Sequence, residues 1–139
     1  MTATSWNPKL TNVSGNDGTV GSGRYAISNG ICAFTAMIVA KEETNAASNA
    51  GFGLTLPIPA ADGVRYTFQL SLDGRDADHG VWTGEAQIYS GSDGSQIDRL
   101  RVTGTSNGAA LQNVNHLYGG VEGAKYAEII TVTGSYPVA

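Results

Sequence analysis

Between Val64 and Leu72, apolar side chains occupy every second position. Val64, Tyr66, Phe68, Leu70 and Leu72 alternate with Arg65, Thr67, Gln69 and Ser71. An extended strand sends successive side chains to opposite faces, so this spacing predicts a strand with one greasy and one wet face. Such a strand belongs in an antiparallel sheet that packs one face on a core and turns the other toward water or a partner.

The rest of the chain reads as further strands around it. Residues 19–28 and 31–41 form the clearest hairpin, because Asn29-Gly30 between them suits a type I′ turn, in which both central residues need positive φ. The second arm, Ile31 to Ala40, is apolar at both alternating sets of positions. Ala and Met favour a helix there, but the preceding turn and the recurrence of Ile, Val, Phe and Thr favour a strand. Apolarity on both sides predicts burial on both. The strand is either covered on each side within the chain or presents its outer face to another chain.

Phe52 to Leu56 reads as a short strand that ends at Pro57-Ile58-Pro59, since proline removes a ladder donor. Asp62-Gly63 turns the chain into the central strand. Val81 to Tyr89 is a strand with Trp82, Ala86 and Ile88 on one side, and Gly91-Ser92-Asp93-Gly94 turns it into Gln96 to Thr103. Residues 42–51 read as a polar loop. Residues 104–123 read as a long connection whose Leu111, Val114, Leu117 and Tyr118 call for a short strand or a turn of helix. The last strand runs from Tyr126 to Thr133.

Residues 1–18 read as an N-terminal arm or short edge strand, with Trp6 anchoring it to the body or to a neighbouring subunit. Residues 19–139 form one domain. Strands at this spacing predict an all-β fold, an antiparallel β-sandwich or jelly roll of about seven or eight strands.

Composition supports that class. The chain has 139 residues, of which 41% are hydrophobic and only 14% charged, with 19 glycines. A net charge of -4 and eight scattered Lys and Arg residues exclude a phosphate-binding stripe, so no nucleic-acid partner is expected. Cys32 is the one cysteine, which excludes an intrachain disulfide. Neither a signal peptide nor a membrane-length apolar run is present, so synthesis in the cytoplasm and a soluble product are expected.

The densest group of potential ligands is Asp73, Asp76, Asp78 and His79. Its spacing lacks the twelve-residue calcium loop with its terminal Glu, and it reads as a solvated acidic turn, with no metal. The other histidine, His116, has no Gly-x-Ser-x-Gly elbow to serve. Glu85, Asp98 and Glu128 could support glycoside hydrolysis only if two of them faced one cleft; they read as polar strand positions. Gly21-Ser22-Gly23-Arg24 lacks the Lys-Ser/Thr of a phosphate loop. Tyr66, Trp82, Tyr89, Tyr118 and Tyr126 offer aromatic surfaces, with Tyr118 beside Gly119-Gly120 the best placed to be exposed. No catalytic residue and no cofactor are expected.

Several segments taken in order carry a family likeness. They are Trp6-Asn7-Pro8 with Leu10-Thr11, Gly23-Arg24-Tyr25 leading into Ile31, Gly53-Leu54-Thr55-Leu56-Pro57-Ile58-Pro59, and Ile129-Ile130-Thr131-Val132-Thr133-Gly134-Ser135-Tyr136. Together they resemble a small β-sandwich module of actinobacterial phage virion proteins. The resemblance implies a non-catalytic virion surface component, a homotrimer that contacts other virion subunits such as the major capsid protein. A module standing nearly alone, with an arm, fits a capsid decoration protein that stabilises the shell. A tail-tip or fibre module that binds a receptor or a host surface glycan is the alternative. Under the first role Trp6, Pro8, Leu10 and Tyr118 are the partner-binding candidates. Under the second, Asp73, Asp76, Asp78 and His79 are the loop candidates.

Overall fold

A computed structural model describes residues 3–62, 64–74, 81–89, 91–103, 111–118 and 127–139. Every regular element among them is a strand. In chain order they are β1 (Thr4–Trp6), β2 (Leu10–Thr11), β3 (Val13–Ser14), β4 (Thr19–Ser28), β5 (Ile31–Ala40), β6 (Thr44–Ala46), β7 (Gly53–Thr55), β8 (Tyr66–Gly74), β9 (Val81–Ile88), β10 (Gln96–Ile97), β11 (Arg99–Thr103), β12 (Leu111–Asn113), β13 (His116–Leu117) and β14 (Ala127–Pro137).

The main sheet has eight strands in the order β1-β4-β5-β14-β8-β9-β11-β12, paired antiparallel. Two small sheets, β10-β7-β2 and β13-β6-β3, supply the opposing layer. The architecture is all-β and consistent with a sandwich. Asn29 and Gly30 turn the β4–β5 hairpin at φ 52° and 76°, the left-handed pair that a type I′ turn requires.

Alternation on β8 sets the inner face. Phe68, Leu70 and Leu72 are buried and Tyr66 is half-buried. Val64 departs from the sequence expectation. It is 55% exposed and precedes the strand, which begins at Tyr66. The neighbouring strands add Ile130, Val132 and Tyr136 from β14, Cys32, Phe34, Ala36 and Ile38 from β5, and Ala86 and Ile88 from β9. Leu10, Phe52, Leu54, Ile97, Val114 and Leu117 close the same cluster from the small sheets and their connections.

At one end of this core the aromatics interlock. Phe34 meets Phe68 edge to face with centroids 5.1 Å apart, and Tyr136 meets Phe34 at 5.6 Å. Such pairs add about 0.5–1.5 kcal/mol beyond area burial. The Tyr136 hydroxyl donates to the Ile58 carbonyl at 2.7 Å, which ties the last strand to the Pro57–Pro59 turn.

Burial and the neighbouring Cys32 thiol push the Tyr136 phenol well above the ordinary tyrosine range. A raised acid pKa contributes stability that is fully present below the unfolded value, about 10. That contribution is lost as pH rises beyond it. Tyr136→Phe is therefore expected to cost about 1 kcal/mol at neutral pH, from the unpaired carbonyl. The same variant should flatten the alkaline loss of stability by up to one proton, about 1.4 kcal/mol per pH unit. Urea unfolding at pH 7 and between pH 9.5 and 11 measures both. An unchanged alkaline slope would exclude Tyr136 as its source.

One further reading is revised and two are narrowed. The 42–51 loop holds strand β6, and the segment after residue 110 supplies the short strands β12 and β13 rather than a helical turn. Ile31 to Ala40 is not covered on both sides. Its burial alternates strictly from Ile31 to Ile38, with Cys32, Phe34, Ala36 and Ile38 inside and Ile31, Ala33, Thr35 and Met37 outside.

Candidate functional site

The outer face of the main sheet is the candidate site, and its two halves differ in chemistry. In an antiparallel ladder, directly opposed residues share a face. The register therefore sorts every outward position. On β4 these are Val20, Ser22, Arg24, Ala26 and Ser28; on β5 they are Ile31, Ala33, Thr35, Met37 and Val39; on β14 they are Ile129, Thr131, Thr133, Ser135 and Pro137. Arg24 carries the single formal charge in this half. Val20, near the start of β4, is 59% exposed, Ile31, the first residue of β5, 43%, and Met37, within β5, 39%. Scattered surface hydrophobics are ordinary, whereas a contiguous apolar patch marks a contact surface; Val20, Val39 and Met37 adjoin through the ladder, and Ile31 lies at the other end of the hairpin.

The other half, on β8, β9 and β11, is a polar network. Gln87, only 6% accessible, donates to Glu85 at 2.8 Å and accepts from Arg99 Nε at 2.8 Å. The Arg99 guanidinium lies 4.6 Å over the Tyr89 ring, a cation–π contact. Asp98 accepts from the Tyr89 backbone N–H at 2.8 Å and from the Ser92 hydroxyl at 3.3 Å. Glu85 and Asp98 are thus each engaged in separate hydrogen bonds, and Glu128 sits at the register shift of β14. No two of the three carboxylates are joined by these contacts into an acid–base pair.

At the β4 edge the chain folds an arm over the sheet. Trp6 pairs with Gly23 across the ladder. A Cβ at Gly23 would collide with the indole, and one at Gly21 would overlap the Pro8 carbonyl. Glycine at both positions lets the arm lie flush on the strand. The indole Nε1 is buried with no hydrogen-bond partner among the described residues, and the ring packs against the core cluster. Beside it, Ser5, Trp6, Asn7, Ser22, Arg24 and Met37 line a shallow groove of about 550 Å³.

Trp6→Ala is expected to cost about 2 kcal/mol, for roughly 100 Å² of lost apolar contact. It should also release β1 from β4. Hydrogen exchange checks this: amides of residues 4–6 should lose protection while β8 and β14 keep theirs. Uniform loss across the sheet would mean that the arm is part of the core and not a separable clasp.

The residues singled out from sequence fall in different places. Pro8 and Leu10 are buried within their own chain, and Leu10 belongs to the core. Trp6 is half-buried at the arm. Tyr118 is half-buried against the core at φ 66°, less exposed than its glycine-flanked position implied. Asp73 is the penultimate residue of β8, on the outer face, while Asp76, Asp78 and His79 lie outside the described residues, as does Tyr126. His116 pairs through Nδ1 with Asn45 Oδ1 at 2.6 Å, across the β13–β6 ladder.

Among the described residues, no three of His, Cys, Asp and Glu come together as a metal site. No helix there is long and apolar enough to cross a membrane. Sequence reading missed the outer half-face as a unit. Its only signal was the lack of charge in residues 31–40, and the Thr and Ser residues of β14 that complete it read as an ordinary wet side. Comparison with protein-family models, with curated proteins and with solved structures gave no match.

Proposed function

We propose that this chain is a structural subunit of a phage virion surface, in the capsid-decoration role that its sequence resemblance implies. It would work by covering and joining other protein surfaces. The observation that supports this reading most is the open half-face on β4, β5 and β14, uncharged except for Arg24 and carrying Val20, Ile31 and Met37 in water. A contact face of this kind suits permanent assembly, because apolar burial drives association without demanding a specific small ligand. The arm at Trp6 lies beside that face, where one binding event would engage both.

Cryo-electron microscopy of particles that carry this chain tests the reading. Density for the fold at capsid symmetry positions is the expected result. Density confined to the tail tip would replace decoration with host contact and turn attention to the 73–80 segment. Absence from purified particles would overturn the virion reading altogether.

A further inference from the structure

The edge of β4 is paired along only part of its length. The two-residue turn at Asn29-Gly30 makes Ser28 and Ile31 a hydrogen-bonded pair, and bonding then alternates along an antiparallel ladder. Thr19, Gly21, Gly23, Tyr25 and Ile27 therefore turn their N–H and C=O groups away from β5, toward the edge. Strand β1 covers Gly23 and Tyr25, which stand opposite Trp6 and Thr4. The same register would next bring Pro8 to Gly21, and proline has no N–H to give. The arm leaves the plane of the sheet there. Gly21 stands opposite the buried Ile38, so a Cβ on it would point inward, and that is where the Pro8 carbonyl lies. The strand position beside Gly21 is vacated.

A groove of about 480 Å³ opens at that position, between Pro8 and Lys9 of the arm and Asp17, Thr19, Val20 and Gly21. The edge-facing N–H and C=O of Gly21 bond to no described residue. The Thr19 N–H turns the same way and donates to the Asp17 carboxylate at 2.9 Å, while the Thr19 carbonyl accepts from no described residue. Val20 exposes its side chain on the outer rim. The Lys9 main chain is fixed to Thr55 by bonds in both directions, and its ammonium group has no partner among the described residues.

We infer that this groove binds an extended peptide segment of a partner protein, which takes the vacated strand position, exchanges main-chain hydrogen bonds with Gly21 and brings an acidic group to Lys9. Unpaired edge groups are a template for a further strand. Strand addition draws its affinity from the main chain and its specificity from alternate side chains. An outward side chain of the segment meets Val20 and is best apolar; an inward one meets Pro8 and is best small. The lone cation at Lys9 favours a carboxylate, since Asp17 is turned to its own Thr19. Residues 19–21 at about 3.3 Å each give an edge about 10 Å long, which suits a short segment.

The site lies apart from the uncharged half-face, and it holds or fails on the isolated chain whether or not that chain belongs to a particle. A displayed library of random octapeptides, panned against the full chain, supplies the probe, and the selected peptide is then made synthetically. On titration, amide NMR shifts should move most at residues 19–21 and at Lys9, and the Gly21 amide should gain protection from exchange. N-methylation of the peptide, one residue at a time, should weaken binding at alternate residues only, because every second N–H faces away from β4. Lys9→Glu and Val20→Glu should each weaken binding about tenfold, the effect of losing one good contact. Both side chains are exposed, and circular dichroism confirms that each variant is folded. Ser28→Glu, on the same strand beyond β1, should leave binding unchanged.

Failure to select any peptide with a Kd below about 1 mM would overturn the inference. So would shifts centred on β8, β9 or β11, or N-methyl effects without alternation. A Ser28→Glu variant that weakens binding as much as Val20→Glu would do the same, since it would place the peptide elsewhere on β4.

Discussion

Phe68→Ala is expected to lower the unfolding free energy by about 3–5 kcal/mol. Most domains of this size have only about 5–15 kcal/mol in total, so the variant should be largely unfolded or close to it at 37 °C. The ring is 4% accessible, at the third position of β8. It meets Phe34 edge to face at 5.1 Å, tilts against Tyr136 at 6.0 Å and stacks parallel to Tyr66 at 6.5 Å. Its edge also fills the space over Gly134, in the last strand. Removing it takes the shared neighbour from three other aromatics and leaves a cavity under two strands. Strands in a ladder move together, so the gap cannot close cheaply. Urea unfolding followed by circular dichroism measures the loss. Phe68→Leu should lose clearly less, and a loss below about 1 kcal/mol for Phe68→Ala would mean that the aromatic cluster is not where the core is tightest.

Gly84→Ala is the second expected large effect, although it adds a single methyl group. Gly84 lies on β9 between Leu70 of β8 and Val102 of β11. A Cβ there would overlap the Arg101 carbonyl oxygen and stand 2.7 Å from the Val102 Cα. Both obstacles are backbone and cannot swing aside, so β11 must separate from β9 locally. That breaks ladder hydrogen bonds and lifts Leu100 and Val102 from the core. The expected loss is about 4 kcal/mol or more, at the top of the range for point changes. Gly91→Ala is the matched control: a Cβ at Gly91 meets nothing within 4 Å, and the change should stay within about 0.5 kcal/mol. Equal melting temperatures for the two variants would refute the close approach of β9 and β11.

What the sequence could and could not reveal follows from the physics of strands. Tyr66 to Leu72 was legible because its wet face carries polar side chains and its dry face large apolar ones. Asn29-Gly30 was legible because few residues adopt positive φ at low cost. Strand β5 was harder, since Ile31, Met37 and Val39 point outward yet look like core residues. Periodicity cannot separate burial inside one chain from a face left for another. The small strands β2, β3, β10 and β13 have two residues each, too few for any period to show. Val64 extends the alternation past the point where the strand starts, because alternation records composition and not hydrogen bonding. The two halves of the outer face were out of reach for a different reason. They exist only once the order of strands is known, and that order joins residues about a hundred positions apart.

That order bears on how the molecule is made. The last strand, β14, lies at the centre of the main sheet between β5 and β8, with nine paired positions against β5 and six against β8. During synthesis, β4–β5 and β8–β9 can close early as local hairpins, but the seam between them stays empty until residue 137 has cleared the ribosome. Until then each hairpin presents an unpaired edge and an uncovered apolar side, the condition in which nascent chains stick to one another. Assembly is therefore a single late event with a long loop-closure search. A polypeptide cut short anywhere before Ala127 should reach the cell not as a smaller version of the protein but as a substrate for chaperones and proteases.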